Sequence, residues 1–453
     1  MHAPAQPTLE VLSGWAGYPQ VETCLVPLHR VEALRSTPGP RAIRGNGRAY
    51  GDAAVLAGGR TFSTLPQNRF LEFDRELGLL RAEPGVTVEE ILDVIVPAGW
   101  VLPVVPGTRH ATLGGCIAAD VHGKNHPISG SFAHHLVSMS VVGGDGKKRT
   151  VSPESSPKIF WATCGGMGLT GYVREATVRL QRIETPLLVS LSEPCADLEQ
   201  SLAALDSKPL EYPHAAVWID GFAQGPQLGR GIVSRARHAR ASEVPPNKAG
   251  KPWRRQTRVA VDVPKPMRWN LLPMGALKAF NAVHRAARSR QRPTLQMGMS
   301  SCFFPLDAIG HWNRLYGERG FIQYQIALPE RFAVDLFRDL LERLQAISSP
   351  PFLAVLKRLG EFSGGPLSFP QPGFTLALDL PRTSADLPRV LDEFDERVAS
   401  LGGRVYLAKD SRMKAEVLAA MYPRLEEWRK IKSQIDPENR FQTELGRRLG
   451  LCV

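Results

Sequence analysis

The chain has 453 residues, 43% hydrophobic and 22% charged; it can bury a sizeable core without disulfide support and is too long for one ordinary domain. Its 56 Lys and Arg against 44 Asp and Glu leave a net charge of +12, which raises the local concentration of anionic partners (nucleic acid, anionic lipid or a phosphorylated substrate) without choosing among them. The six cysteines are scattered with no C-x-x-C pair. That argues against a secreted disulfide scaffold and a metal site, and predicts buried small hydrophobes in a reducing compartment.

Residues 1–21 lack a basic stretch followed by an apolar run, so no signal peptide is expected. Arg41 to Arg44 reads as a strand entering the glycine-rich run Gly45 to Gly51. Thr87 to Glu90 is a capping box opening a helix that ends near Pro97. The apolar stretch Ile91 to Val105 is broken by Pro97, Gly99 and Pro103, too short and interrupted to span a bilayer. These features predict a protein of the cytoplasm or one peripheral at the inner membrane. Val141 to Val151 reads as a hairpin whose Asp145-Gly146 turn takes positive φ. Ile159 to Cys164 is helical, stopped by Gly165-Gly166, and Gly171 to Leu180 is a strand. Composition shifts near Arg182. The stretch Arg235 to Arg292, with Pro245, Pro246 and Pro252, predicts a mobile basic loop, with an amphipathic helix around Ala276 to Ser289; a plain solvated loop is the competing reading. Strands follow at Phe321–Leu328 and Gly373–Leu380, and helices at Arg331–Ala346 and Ala385–Leu401, the latter ended by Gly402-Gly403. The tail reads as strand Val405–Ala408, helix Met413–Met421 and a basic helix closed by Asp436-Pro437.

Three segments carry chemistry. The first holds Arg44, Gly45, Asn46, Gly47, Arg48, Ala49, Tyr50, Gly51 and Asp52. Its glycines let backbone N–H groups approach phosphate oxygens. The spacing is neither the G-x-G-x-x-G dinucleotide fingerprint nor a Walker loop, and alone it is more often a structural turn. The second holds Gly107, then Thr112, Leu113, Gly114, Gly115, Ala119, Asp120, Val121 and His122, small enough to let a flat ligand lie on the backbone. A helix starting near Gly114 is expected to aim its positive end at a pyrophosphate. His122 suits a redox site, a satisfied structural histidine being the plainer alternative. The third runs from Phe160 to Gly171.

Together these segments resemble the FAD-binding domain of the vanillyl-alcohol-oxidase and p-cresol-methylhydroxylase superfamily. Further stretches, including His122 to His126, Gln323 to Gln325, Pro366 to Pro370, Ala408 to Arg412 and Ala420 to Arg424, resemble the decaprenylphosphoryl-ribose 2'-oxidase family in the same order along nearly the whole chain. The resemblance implies an α+β fold. It places a two-lobed FAD-binding domain at 1–184, an antiparallel-sheet substrate domain flanked by helices at 185–403 with the basic loop near 235–292, and a segment at 404–453 returning to the FAD domain.

It further implies non-covalent FAD, because covalent members carry a first-loop histidine where this chain has Ala49-Tyr50. Cofactor contacts are implied on the first two segments, Val173 and Tyr406; substrate contacts on Tyr50, His122, Trp218, Gln323, Gln325, Lys357, Thr375, Ala377 and Lys409. Oxidising an alcohol needs a hydride acceptor, removal of the hydroxyl proton and positive charge beside the reduced flavin. Lys409 is the first choice for that charge, Lys357 for orienting substrate or its phosphate, and Tyr50, His122 and Lys409 all qualify as base. The family's mycobacterial members have Cys at the position of Ala377 and Asn at that of Thr375, so nitroaromatic inhibitors that trap the thiol are not expected to bond here. The implied reaction is oxidation of polyprenylphosphoryl-β-D-ribose at C2', with an NADH-dependent keto-sugar reductase as partner and peripheral membrane contact through the basic region. Alternatives are an alditol or sugar-lactone oxidase of the same superfamily and, more remotely, a nucleic-acid binder, for which no aromatic-basic module is visible.

Overall fold

The computed structural model describes residues 8–247, 259, 261–265, 273–288, 293–296 and 298–452. Part of the basic stretch, including Pro252 and Arg292, lies outside them, as does Ser289 of the expected helix. Three larger sheets organise the described residues. The first is mixed: β1 (Thr8–Ser13) pairs antiparallel with β2 (Gln20–Pro27), and β4 (Arg60–Ser63) runs parallel to both β2 and β3 (Arg41–Arg44). The second is antiparallel in the order β5-β6-β9-β7-β8, built from Phe70–Asp74, Leu79–Ala82, Tyr172–Arg179, Leu136–Val142 and Lys148–Val151. Beside it α1 (Val88–Ile95) starts at the expected capping box. The Thr87 hydroxyl accepts from the Glu90 amide at 3.2 Å and the Glu90 carboxylate from the Thr87 amide at 2.8 Å.

The third sheet has eight antiparallel strands in the order β13-β10-β12-β11-β15-β16-β14-β17. In chain order they are β10 (Leu188–Cys195), β11 (His214–Ile219), β12 (Gly231–His238), β13 (Thr294–Gln296), β14 (Phe321–Leu328), β15 (Leu353–Leu359), β16 (Gly373–Pro381) and β17 (Arg404–Val405). Strand residues alternate between faces. Val217, Ile219, Ile322, Tyr324, Ile326, Ala354, Leu356, Leu376, Leu378 and Leu380 share one buried layer with helices α4 (Leu198–Asp206), α6 (Glu330–Ala346) and α7 (Leu387–Ser400). Truncating one of these leucines to Ala costs roughly 2–5 kcal/mol. The opposite face is thereby left for function.

The tail folds back onto the N-terminal part. The Gln442 amide donates to the Arg41 carbonyl at 2.9 Å, and the Trp428 indole to that of Ala162 at 3.0 Å.

Several expectations need correction. The basic stretch does not begin as a loop: Arg235 and Arg237 lie on β12, and Arg235 is buried against Glu193. Only Gly146 takes positive φ in the hairpin turn, at 74°. The strand expected at Val405–Ala408 stops at Val405, because the Lys409 and Asp410 amides turn back to the Tyr406 carbonyl at 2.9 and 3.1 Å. The tail helix starts at Ala415 rather than Met413. The helix expected near Gly114, α2 (Leu113–Ala118), is short and its first amides are taken. Leu113 donates to Val86, Gly114 to Pro84, and Gly115 to the Thr112 hydroxyl at 3.2 Å. It therefore does not aim free N–H groups at a pyrophosphate. The cysteines form no disulfide; Cys116, Cys164 and Cys195 are buried, while Cys24, Cys302 and Cys452 are only half-buried.

Candidate active site

The three glycine-rich segments meet around the second. Asn46 of the first donates its amide to the His110 carbonyl at 2.9 Å, and Gly45 lies so close to Thr112 that a side chain there would collide with the Thr112 hydroxyl. From the third segment, just after helix α3 (Pro157–Thr163), the amides of Gly165 and Met167 donate to Ile117 and Ala118 at 3.1 and 2.9 Å. The second segment is pinned elsewhere too. Asp307 accepts from the Thr108 hydroxyl at 2.9 Å and the Arg109 amide at 2.7 Å, and Asp120 from the Ala133 amide at 3.0 Å and the Ser368 hydroxyl at 2.6 Å. Tyr406 reaches in from the tail and donates to the Ala119 carbonyl at 2.9 Å. Two of the expected contact residues brace the first loop from behind. Arg44 donates to the Ser13 and Ala54 carbonyls, and Asp52 is paired with Arg448. Val173 lies on the central strand β9 with its side chain in the core.

The free face of the eight-stranded sheet holds the expected substrate residues. In register, Gln325 pairs with Ala377, Ala377 with Val355, and Val355 with Trp218, giving one row across four strands. One step along, Lys357 pairs with Thr375; one step the other way, Gln323 pairs with Asp379. Directly paired residues share a face, so Trp218, Lys357, Thr375, Ala377, Gln323 and Gln325 form one surface. Its roof comes from other segments. The Gln325 amide donates to Nε2 of His122 and to the Thr375 hydroxyl, each at 3.1 Å. An amide NH2 only donates, so His122 Nε2 accepts and its proton resides on Nδ1. From the turn after β17, Lys409 lays Nζ over the Tyr50 ring, 3.5 Å from its centroid.

Electrostatics separate the three possible bases. Burial, reinforced by Lys357, His126 and Lys409, holds the His122 imidazole well below its usual range. It is neutral, its acceptor nitrogen is engaged, and its Nδ1 donor is buried without a partner among the described residues. It is thus a hydrogen-bond donor. Burial, with Asp379 adding, pushes the Tyr50 phenol well above its usual range. Burial pulls the Lys409 ammonium down to about 7 against the opposing pull of Asp379. Lys357 is lowered to about 8, again by burial and then by Lys124. Of the three candidates, Lys409 alone exchanges its proton near neutrality, and Lys357 stands close to it in range. Asp379, raised by burial to about 6, accepts from the Gln323 amide at 2.6 Å and keeps Oδ2 without a hydrogen-bond partner among the described residues. Sequence reasoning missed it, although the alternation of β16 signals it. It stands two residues beyond Ala377, an acid on the polar face of a leucine-rich strand.

Comparison with known proteins gives this geometry a family. Residues 30–152 match the FAD binding domain family and residues 382–449 the D-arabinono-1,4-lactone oxidase family. Across 416 residues the chain is 34% identical to a decaprenylphosphoryl-β-D-ribose oxidase of Mycolicibacterium smegmatis, covering 90% of this chain and 88% of that protein. The chain belongs to the decaprenylphosphoryl-β-D-ribose oxidase family. A Streptomyces coelicolor protein of uncharacterised function is 37% identical over 374 residues, 81% of this chain and all of that one. A human Δ(24)-sterol reductase is 29% identical over 111 residues, 24% of this chain and 21% of the reductase.

As a member of this oxidase family the chain is an FAD-dependent oxidoreductase, and its residues fit that cofactor. Gly107 and Gly115 present exposed backbone, and a Cβ added at Gly107 would meet nothing within 4 Å. Arg48, stacked on Trp15 at 4.0 Å, keeps its Nε without a hydrogen-bond partner among the described residues. The Nδ1 donor of His122 and Nζ of Lys409 offer polar groups that suit a polar, electron-accepting ring.

Proposed function

We propose that the chain oxidises the 2'-hydroxyl of polyprenylphosphoryl-β-D-ribose to the 2'-keto sugar with non-covalently bound FAD. The observation that carries this reading is the sheet face on which Trp218, Ala377, Gln325, Thr375, Gln323 and Lys357 lie in register, closed by Lys409 and His122. The first two glycine-rich segments and Tyr406 hold the cofactor, with Arg48 as the cation for its phosphates. The flavin, when bound, supplies the hydride acceptor. Lys409 Nζ, as the neutral amine, takes the hydroxyl proton; the resulting ammonium then balances negative charge on the reduced ring. Asp379 lies in Coulombic reach of Lys409 and steadies that ammonium. His122 Nδ1 donates to an oxygen of cofactor or sugar. Lys357, with Lys124 beside it, orients the phosphate. Anaerobic addition of a short-chain prenylphosphoryl ribose to the flavoprotein should bleach the flavin and yield a product two hydrogens lighter. Bleaching by free pentitols or sugar lactones but not by this compound would instead favour the lactone-oxidase reading.

The domain division follows the same reading: FAD binding in two lobes at 1–184, substrate binding at 185–403, and a returning segment from 404 to 453. The contacts of Gln442 and Trp428 with the N-terminal part support it. A product keto sugar bound for arabinan and cell-wall synthesis requires reduction by a separate NADH-dependent enzyme. No described helix is long and apolar enough to cross a membrane. Contact with a lipid surface is supported by helix α5 (Met274–Arg288), where Phe280 is 59% and Val283 68% exposed beside Lys278 and Arg288. Sedimentation with anionic liposomes that is unchanged after charge removal at Lys278 and Arg288 would refute this contact.

A further inference from the structure

Arg448, on the C-terminal helix Glu444–Arg448, stands between two buried carboxylates. Its Nε and Nη2 donate to the two oxygens of Asp52, each at 2.9 Å, and its Nη1 lies 2.9 Å from Oδ2 of Asp410 while donating to the Met413 carbonyl at 2.6 Å. Asp52 is 3% and Asp410 4% exposed. The two acids belong to the two loop segments that meet along a seam. Asp52 closes the first glycine-rich loop, and Asp410 immediately follows Lys409. Along that seam the Tyr50 amide donates to the Ala408 carbonyl at 2.9 Å, and Gly51 passes so close to Asp410 that any side chain would strike its carbonyl. The remaining Asp410 oxygen accepts from the Arg412 and Met413 amides, both at 3.0 Å, which shapes the turn carrying Lys409.

The nearby guanidinium of Arg412 does not duplicate this function. It is directed to Asp392 and Asp395 on the helix behind the sheet, and Asp395 also accepts from Tyr324 at 2.8 Å. Arg448 alone among the described residues bridges the loop acid and the lysine-turn acid. A guanidinium holds such a geometry because its fork is planar and rigid. Without it, two carboxylates are left buried and mutually repelling.

We propose that Arg448 is a positioning residue: by clamping Asp52 to Asp410 it fixes Lys409 over Tyr50 and against the flavin edge. The proposal rests on the reading that Lys409 stands at the flavin, and its test separates the two. Sulfite adds to the oxidised flavin ring only as well as a neighbouring cation stabilises the negative charge it brings, and it requires no sugar substrate. Flavin-loaded full-length wild type, Lys409→Met, Arg448→Met and Arg448→Lys are titrated with sulfite, following loss of flavin absorbance. Lys409→Met should weaken sulfite binding by about tenfold or more, the effect of one charge-assisted contact. Arg448→Met should weaken it comparably, with Arg448→Lys in between, since the charge is kept and the fork lost. Should Arg448→Met fail to fold or load flavin, Arg448→Lys decides alone. Wild-type sulfite affinity in the Arg448 variants alongside a weakened Lys409→Met overturns the clamp and leaves the placement of Lys409 intact. Wild-type affinity in Lys409→Met overturns both.

Discussion

Nζ of Lys409 lies 3.5 Å from the centroid of the Tyr50 ring, so a cation from the tail is seated on an aromatic face from the first glycine-rich loop. The contact joins two segments far apart in sequence. A cation–π seat contributes about 0.5–2 kcal/mol and directs Nζ without consuming its hydrogen-bonding capacity. Lys409→Met keeps the apolar stem over the ring and removes the charge. Flavin content should be retained, while the rate of flavin reduction by substrate in stopped flow falls on the order of 10²–10³-fold. A loss below about tenfold would remove Lys409 from the chemistry.

Proton removal by Lys409 fixes the sign of the pH dependence. Burial brings its ammonium down to about 7; the neutral amine that accepts the hydroxyl proton therefore forms as pH rises through that value. The reductive rate should climb between about pH 6 and 8 and then level. Tyr50 and His122 give no such limb, since the phenol stays protonated and the imidazole neutral across this range. A flat profile would contradict the assignment.

The residues at Ala377 and Ala49 determine two covalent outcomes. Ala377 lies between Gln325 and Val355 on the site-facing side of β16 and is half-buried, as an open pocket wall requires. Mass spectrometry after turnover with a nitroaromatic inhibitor should find the wild type unmodified, and Ala377→Cys should gain one adduct. With Ala49 and Tyr50 in place of a loop histidine, acid precipitation should leave a colourless pellet and all the flavin in solution. Yellow colour remaining with the pellet would refute non-covalent binding.

How much of this was legible depended on the range of the interaction. The capping box at Thr87 and the alternation along Phe374 to Leu380 are local signals, and both elements formed as read. The residues expected to touch substrate came from resemblance, and the register explains why they share one face of the sheet. Asp379 was equally visible as an acid in a leucine-rich strand, but nothing local says that its charge acts on Lys409. Arg448 and Asp52 are 396 positions apart, a separation at which patterning carries no information. The early end of the strand at Val405 depends on two amides turning back to Tyr406, and the occupied amides of α2 depend on the chain at Pro84 and Val86. Such tertiary partners override local propensity.

A last prediction concerns acid stability. His126 is 1% exposed, accepts from the Gly360 amide at Nδ1 across 2.8 Å, and is lowered by burial to about 4. An unfolded chain takes up this proton near 6.5, the folded one only near 4. Its contribution to stability is therefore complete above 6.5, drains away as pH falls towards 4, and is constant below. The drain amounts to roughly 3 kcal/mol. Burial raises Asp379 to about 6 and Asp395 to about 7, and these carboxyls act in the opposite sense, gaining stability as pH falls. Their effect cancels when wild type is compared with His126→Asn, whose side-chain oxygen can keep the Gly360 contact. Between pH 6.5 and 4 the wild type should lose roughly 3 kcal/mol relative to the variant in chemical denaturation. Parallel curves over that range would show that His126 titrates normally in the fold.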